Sequence, residues 1–320
     1  MMRPWSYSGQ SMSGPADTRV MGIGDEAIAE AARLILAGQP VAVPTETVYG
    51  LAADATNAEA VARIYAAKGR PAFNPLIVHV PDLECAERIG RFNDQARALA
   101  RQHWPGPLTL VVPLQADSGV ASLVTAGLPT VAVRVPAHPA MHALLKACNK
   151  PLAAPSANAS GLISPTRVSH VLASLNGRIP LVIDGGATQR GIESTIVAAT
   201  GGSLRLLRRG PIEVEALDVH KAGKVEAPGQ LASHYAPKKP LRLDAMTAER
   251  GEYLIGFGPV AGDASLSETG DPVEAAARLF DLLHQADAAP QPRIAIAPVP
   301  GNGIAAAIRD RLKRAAAPRP

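Results

Sequence analysis

The chain has 320 residues, 47% of them apolar and 19% charged, which is length enough for two folded domains and too apolar for a disordered chain. No apolar run approaches the roughly 20 residues of a membrane-spanning helix. Residues 1–20, rich in Ser, Gly and Pro, lack the apolar segment of a secretory signal and read as a flexible leader. From Asp25 to Ala37, Ile28, Ala31, Ala32, Ile35 and Leu36 recur at helical spacing, with acidic residues in the first turn and Gly38 after the last. Val41 to Val43 reads as a buried strand, Asn57 to Ala67 as a helix, Leu76 to Val80 as a strand and Asp94 to Arg101 as a helix. Strands follow at Leu108 to Pro113 and Thr130 to Val135, a helix at Pro139 to Cys148 and a short strand at Pro180 to Ile183. Ser194 to Arg208 carries two β-rich runs around Gly201-Gly202, a hairpin signal. Short strands alternating with helices predict an α/β fold, and the hairpin makes its sheet mixed.

After Arg209-Gly210-Pro211 the pattern weakens. Pro228, Gly229, Pro237 and Pro240 punctuate residues 211–240, which read as a linker. Tyr253 to Ile255, a helix from Val273 to Gln285, Ile294 to Ala297 and a helix from Ile304 to Ala315 then form a small β-α-β-α unit. The expected division is a large domain over 21–210, a linker over 211–240 and a small domain over 241–320. Cys85 and Cys148, two distant thiols, read as buried small hydrophobes in a reducing compartment, hence the cytoplasm. The net charge of +4 suits phosphorylated small molecules or RNA. No stretch interleaves basic with aromatic residues as a single-strand stacking platform does, and Arg309, Arg311, Lys313 and Arg314 read as the solvated face of one tail helix.

A phosphate-handling site has to be sought without a P-loop, because no G-x-x-x-x-G-K-[ST] is present. Lys68-Gly69-Arg70-Pro71 places two cations on one short segment, where Pro71 holds Arg70 out of the helical region and a helix has just ended. Such a pair can clamp an anion, Arg by its fork and Lys as a point charge. Taken alone, a solvated basic turn accounts for it better. In Pro155-Ser156-Ala157-Asn158 the hydroxyl and the amide share a face and can bind phosphate or ribose, or close a local turn. Thr45 and Thr47 flank Glu46 in the loop after a buried strand, a common place for binding groups in α/β proteins. His79 sits on an apolar strand, where a satisfied core histidine is the commoner case. Arg134, within the apolar run Val131 to Val135, needs an anionic partner. Hydrolase and zinc chemistry have no motif to stand on.

Together these segments resemble the YrdC-like family. The resemblance rests on PTETVYGLAADA (44–55), KGRPAFNPLIVHV (68–80), WPGPLT (104–109), VAVRVP (131–136), APSANASG (154–161) and ESTIV (193–197). With SHYAPKKPL (233–241) and the small C-terminal unit, the chain is similar to the two-domain members, the threonylcarbamoyl-AMP synthases. His103 departs from the aromatic expected before Trp-Pro-Gly-Pro, without consequence for a catalytic role. The resemblance implies a YrdC-like open, twisted mixed-sheet domain with a concave basic cavity, plus a Rossmann-like C-terminal domain. It implies adenylation of a threonine N-carboxylate, from L-threonine, bicarbonate (or CO2) and ATP, with pyrophosphate released. Partner proteins would then pass the threonylcarbamoyl group to tRNA. It places Lys68 and Arg70 as the catalytic clamp, and Ser156, Asn158, Ser164 and Arg208 around the nucleotide. Asn74 would lie between the substrates and Tyr235 would close over the nucleotide. Thr47, His79, Arg134, Ala154 and Ser194 would line the threonine pocket, and Thr130 would face the cavity on the threonine or the ATP side. Arg134 would find its anion in the substrate carboxylate, and Mg2+ would arrive with the ATP. The alternative is a double-stranded RNA-binding module using the same basic concavity.

Overall fold

The computed structural model describes residues 17–214, 218–219 and 225–318. The large sheet has eleven strands, in chain order β1 (Arg19–Gly22), β2 (Val41–Val43), β3 (Gly50–Asp54), β4 (Ile77–His79), β5 (Leu108–Pro113), β6 (Thr130–Arg134), β7 (Leu152–Ala153), β8 (Leu181–Asp184), β9 (Thr195–Ala198), β10 (Arg205–Arg208) and β11 (Asp218–Val219). Their spatial order is β1-β8-β2-β3-β7-β4-β6-β5-β9-β10-β11, with parallel and antiparallel pairs both present. Seven helices accompany it: α1 (Asp25–Leu36), α2 (Ala58–Lys68), α3 (Leu83–Ile89), α4 (Asp94–His103), α5 (Ser122–Thr125), α6 (Pro139–Cys148) and α7 (Val168–Leu175). The second sheet, of β12 (Leu241–Arg242), β13 (Glu252–Gly256), β14 (Ala264–Ser265) and β15 (Arg293–Ile296), runs in the order β12-β15-β13-β14 and is parallel throughout. Helices α8 (Pro272–Ala288) and α9 (Ile304–Ala315) complete it. The expected fold class holds: a large mixed sheet followed by a small parallel α/β unit.

Local chemistry explains most boundaries. Asn57 caps α2 by accepting from the amides of Glu59 and Ala60, and Gly69 ends it in the left-handed conformation at φ 59°. The predicted hairpin forms, with β9 antiparallel to β10. Strands β3 and β7 went unread because they are short and without alternation; helix α7 has Val168, Val171, Leu172 and Leu175 at helical spacing but only eight residues to show it. The stretch read as a leader lies outside the described residues for 1–16, whereas Arg19 and Val20 already belong to β1, paired with β8. Of the linker, residues 215–217 and 220–224 lie outside the described residues.

The two units share apolar packing. Val48, Ile163 and Ile192 of the first belong to one buried cluster with Leu254, Leu279 and Phe280 of the second. Around it, His170 stacks on His284 at 3.8 Å, Arg167 donates to Asp281 at 2.8 Å, and His284 meets the Ser164 carbonyl at 3.2 Å.

Candidate active site

One cavity of about 530 Å3, its mouth included, opens between the ends of the central strands and the 225–240 segment. Strands β4 and β6 carry His79 and Arg134 as register partners, so the two side chains stand next to each other on one wall. The Arg134 guanidinium is held at each of its three nitrogens. It donates to Glu46 Oε1 at 2.6 Å, Thr47 Oγ1 at 3.0 Å and the Gly106 carbonyl at 3.2 Å. Thr45 and Thr47 share a hydroxyl contact of 2.8 Å, and Thr45 also accepts from the Val48 amide. Burial pushes the Glu46 carboxyl upward, but the charge and hydrogen bond of Arg134 outweigh this and hold it below its usual range. Burial, helped by Arg134, lowers His79 to about 3, so its imidazole is neutral at physiological pH, with Nδ1 buried and unpartnered among the described residues. The anion that Arg134 requires is therefore already Glu46, a residue to which the sequence reading gave no role.

A second wall comes from the end of α2 and the turn after β7. Lys68 lies behind this wall rather than in it. Its ammonium donates to the carbonyls of Ser156 and Asn158, both at 2.5 Å, and burial together with Arg70 lowers its pKa well below the usual lysine value. Arg70 does reach the cavity, while its Nε and Nη2 hold the carbonyls of Asn74 and Pro75 at 3.1 and 2.8 Å. The two cations thus leave the same turn but do not form a side-by-side clamp. Ser156 lines the cavity, whereas the Asn158 amide turns back to the carbonyls of Ala159 and Leu162, completing a local turn. Asn74 is fully buried beside Arg70 with both side-chain polar atoms unpartnered among the described residues.

The third wall is where helix α9 of the second unit meets the first. Ser194 Oγ contacts Thr109 Oγ1 at 2.7 Å and accepts from Arg208 at 3.0 Å. The adjacent Glu193 accepts from Ser164 Oγ at 2.5 Å and from Arg311 Nε at 2.8 Å. Burial raises the Glu193 carboxyl, and the Arg311 and Arg208 guanidiniums more than reverse the effect. Arg311, read from sequence as part of a solvated face, is 1% exposed. The α9 side that carries it packs onto the large unit, and that packing overrides the basic pattern of the tail. Tyr235 closes the cavity in a left-handed backbone conformation at φ 63°, its hydroxyl unpartnered among the described residues, and His234 lines the cavity beside it.

The cavity thus gathers Thr47, Arg70, His79, Arg134, Ala154, Ser156, Ser194, Arg208 and Tyr235 from seven separate segments. Lys68, Asn74, Asn158 and Ser164 stand directly behind it. Thr130 does not: it opens β6 opposite Pro113, four residues and about 13 Å of strand from Arg134. Sequence reasoning gave no role to Glu193, Gly229 and His234, which line the cavity, or to Glu46, which stands behind its wall on Arg134. Glu193 and His234 lay inside the quoted segments ESTIV and SHYAPKKPL, where a buried acid and a histidine among small residues were the available signal. The cavity's guanidiniums argue against the RNA-binding alternative, since Arg70, Arg134 and Arg208 are 8%, 3% and 6% exposed and no duplex backbone can lie along them.

Comparison with known proteins gives the family. A family model described as "Telomere recombination" matches residues 33–210, and one described as "Threonylcarbamoyl-AMP synthase, C-terminal domain" matches residues 188–317. A threonylcarbamoyl-AMP synthase of Bacillus subtilis is 39% identical over 91% of this chain and 93% of its own length. One of Pyrococcus abyssi is 40% identical over 89% and 92%. The crystal structure of P. abyssi Sua5 complexed with L-threonine superposes with a TM-score of 0.87 at 35% identity, covering 93% of this chain and 98% of that one. Escherichia coli YciO, at 20% identity, 98% of its own length, 62% of this chain and a TM-score of 0.55, shares the fold of the large unit. The chain belongs to the threonylcarbamoyl-AMP synthase family.

Proposed function

We infer that the chain joins L-threonine, bicarbonate and ATP into threonylcarbamoyl-AMP with release of pyrophosphate. The observation that carries this reading is the convergence of three buried guanidiniums, a neutral histidine and several hydroxyls on one cavity, in a chain of this family. The wall of Thr47, His79, Arg134, Ala154 and Ser194 suits an amino acid. Arg134, pre-neutralised by Glu46, offers one end of its fork to the substrate carboxylate, and His79, held neutral, adds a polar contact without repelling the threonine amine. Arg70, Ser156 and Arg208 suit the triphosphate, with Tyr235 over the nucleotide. Attack of the threonine N-carboxylate on the α-phosphate gathers negative charge on phosphoryl oxygens, so fixed cations in a water-poor cavity supply the stabilisation without a covalent nucleophile.

Magnesium enters this reading bound to the ATP phosphates. Glu193, which lines the cavity, and Glu46, behind its wall, are both taken up by guanidiniums, so the described residues present no open carboxylate pair there. No helix among the described residues is long and apolar enough to cross a membrane. Two unpaired cysteines, Cys85 and Cys148, support placing the reaction in the cytoplasm, where partner proteins would carry the threonylcarbamoyl group to tRNA. The test is pyrophosphate release by the full chain supplied with ATP, threonine and bicarbonate. Release should require all three, with threonylcarbamoyl-AMP detected by mass; release independent of threonine would overturn the reading.

A further inference from the structure

The second domain touches the cavity wall through Arg311, which meets Glu193 and the Tyr235 ring. Arg311 lies on α9, buried, and spends each guanidinium nitrogen on a different group: Nε on Glu193 Oε2, Nη1 on Asp310 Oδ2 and Nη2 on the Arg209 carbonyl, at 2.8 to 2.9 Å. Its face lies 5.2 Å from the centre of the Tyr235 ring. The same helix holds the segment that carries Tyr235, because Arg314 donates to the Leu231 carbonyl at 2.6 Å and its own carbonyl accepts from the His234 amide at 3.2 Å. Through Glu193, Arg311 also fixes Ser164 and, next along the chain, Ser194, on which Arg208 rests. A guanidinium buried this deeply is destabilising unless its partners are in place, so the arrangement is all-or-none.

We propose that Arg311 is a positioning residue for the synthase reaction, holding the nucleotide-side wall and Tyr235 in register so that the C-terminal domain governs ATP binding. The inference rests on the functional reading above. A lysine cannot replace the arginine fully, since one ammonium cannot meet Glu193, the Arg209 carbonyl and the Tyr235 face together. Without Arg311, Glu193 keeps only Arg208 as a cationic neighbour among those now acting on it, and drawing that guanidinium over detaches it from Ser194. The threonine-side groups Thr47, His79 and Arg134 hold one another independently of α9, and Ser194 keeps its Thr109 hydroxyl contact at 2.7 Å, so that wall is left in place.

The experiment uses full-length Arg311→Met and Arg311→Lys. Pyrophosphate release is measured with ATP varied at saturating threonine and then the reverse, and binding of a non-hydrolysable ATP analogue is followed by calorimetry. Arg311→Met should raise the KM for ATP at least tenfold and weaken analogue binding equally, with the KM for threonine within twofold of wild type. Arg311→Lys should fold and show the same split at a few-fold. A fall in kcat with both KM values unchanged, or an equal rise in both, marks a merely structural role and overturns the proposal. If Arg311→Met does not fold, wild-type KM values in Arg311→Lys overturn it. Threonine-independent release by the wild type sinks the functional reading instead, while analogue binding still reads the effect of Arg311 without turnover.

Discussion

Replacing Lys68 by Met removes a charged donor and keeps the length and apolar stem of the side chain. The Asn158 carbonyl then loses the Lys68 ammonium, its donor among the described residues, whereas the Ser156 carbonyl keeps the Asn158 backbone amide at 3.0 Å. An orphaned buried carbonyl costs about 1–3 kcal/mol and a weakened one about 0.5–1.5. The cost of burying the amine, visible in its strongly lowered pKa, is recovered in the variant and offsets part of that loss. A net destabilisation of about 2–3 kcal/mol follows, or roughly 4–12 °C in Tm at 2–4 °C per kcal/mol. Because the Pro155 to Asn158 turn carries Ser156 into the cavity, kcat should also fall by about a hundredfold, near 2.7 kcal/mol, at temperatures where the variant is fully folded. Thermal unfolding and pyrophosphate release on the same preparation check both parts. An unchanged Tm refutes the hydrogen-bond argument, and a kcat within threefold of wild type refutes the positioning of the turn.

Gly229→Ala should cost about 1–2 kcal/mol, because the backbone there is left-handed at φ +83°. Its new methyl would stand 2.6 Å from the Tyr235 hydroxyl and 2.9 Å from Arg208 Cδ, so ATP affinity measured by calorimetry should fall at least tenfold. Tyr235→Phe deletes a buried hydroxyl without a partner, so stability should hold or rise slightly in denaturant titration while the KM for ATP increases. His79, His170 and His234 are each held to about 3 by burial, while in the unfolded chain they protonate near 6.5. Between those values the unfolded state binds more protons, so denaturant midpoints should fall as pH is lowered from about 6.5 toward 3 and stay flat from 7 to 8. Truncation after Gly210 exposes Val48, Ile163 and Ile192, at most about 4–9 kcal/mol of burial, and should leave a protein melting far lower in calorimetry.

How far the residues themselves announced this architecture depended on whether the signal was local. Helix α6 and helix α9 were read to the residue, since both have a clear apolar period and a plain start. Strand β7, two residues long, exists because β3 and β4 flank it, and nothing within Leu152-Ala153 says so. At the site, single residues such as Thr47, Arg70 and Arg134 were legible as polar groups in apolar settings. Their partners were not. Glu46 and Arg134 are 88 positions apart, and Glu193 and Arg311 are 118 apart, so only the folded chain shows which charge neutralises which. Lys68 and Asn158 show the converse: residues flagged for ligand chemistry that spend their polar groups on carbonyls of the same turn.

The apolar cluster shared by the two units bears on how the molecule is made. A ribosome delivers Val48, Ile163 and Ile192 well before it delivers Leu254, Leu279 and Phe280. At about 5–20 residues per second, the stretch from Pro211 to the end takes on the order of 5–20 seconds to appear. Throughout that interval the first unit has Val48, Ile163 and Ile192 uncovered and an acid, Glu193, without its arginine. The nascent chain is then most exposed to association with its neighbours, and slowing translation of the last hundred residues should lengthen that exposure.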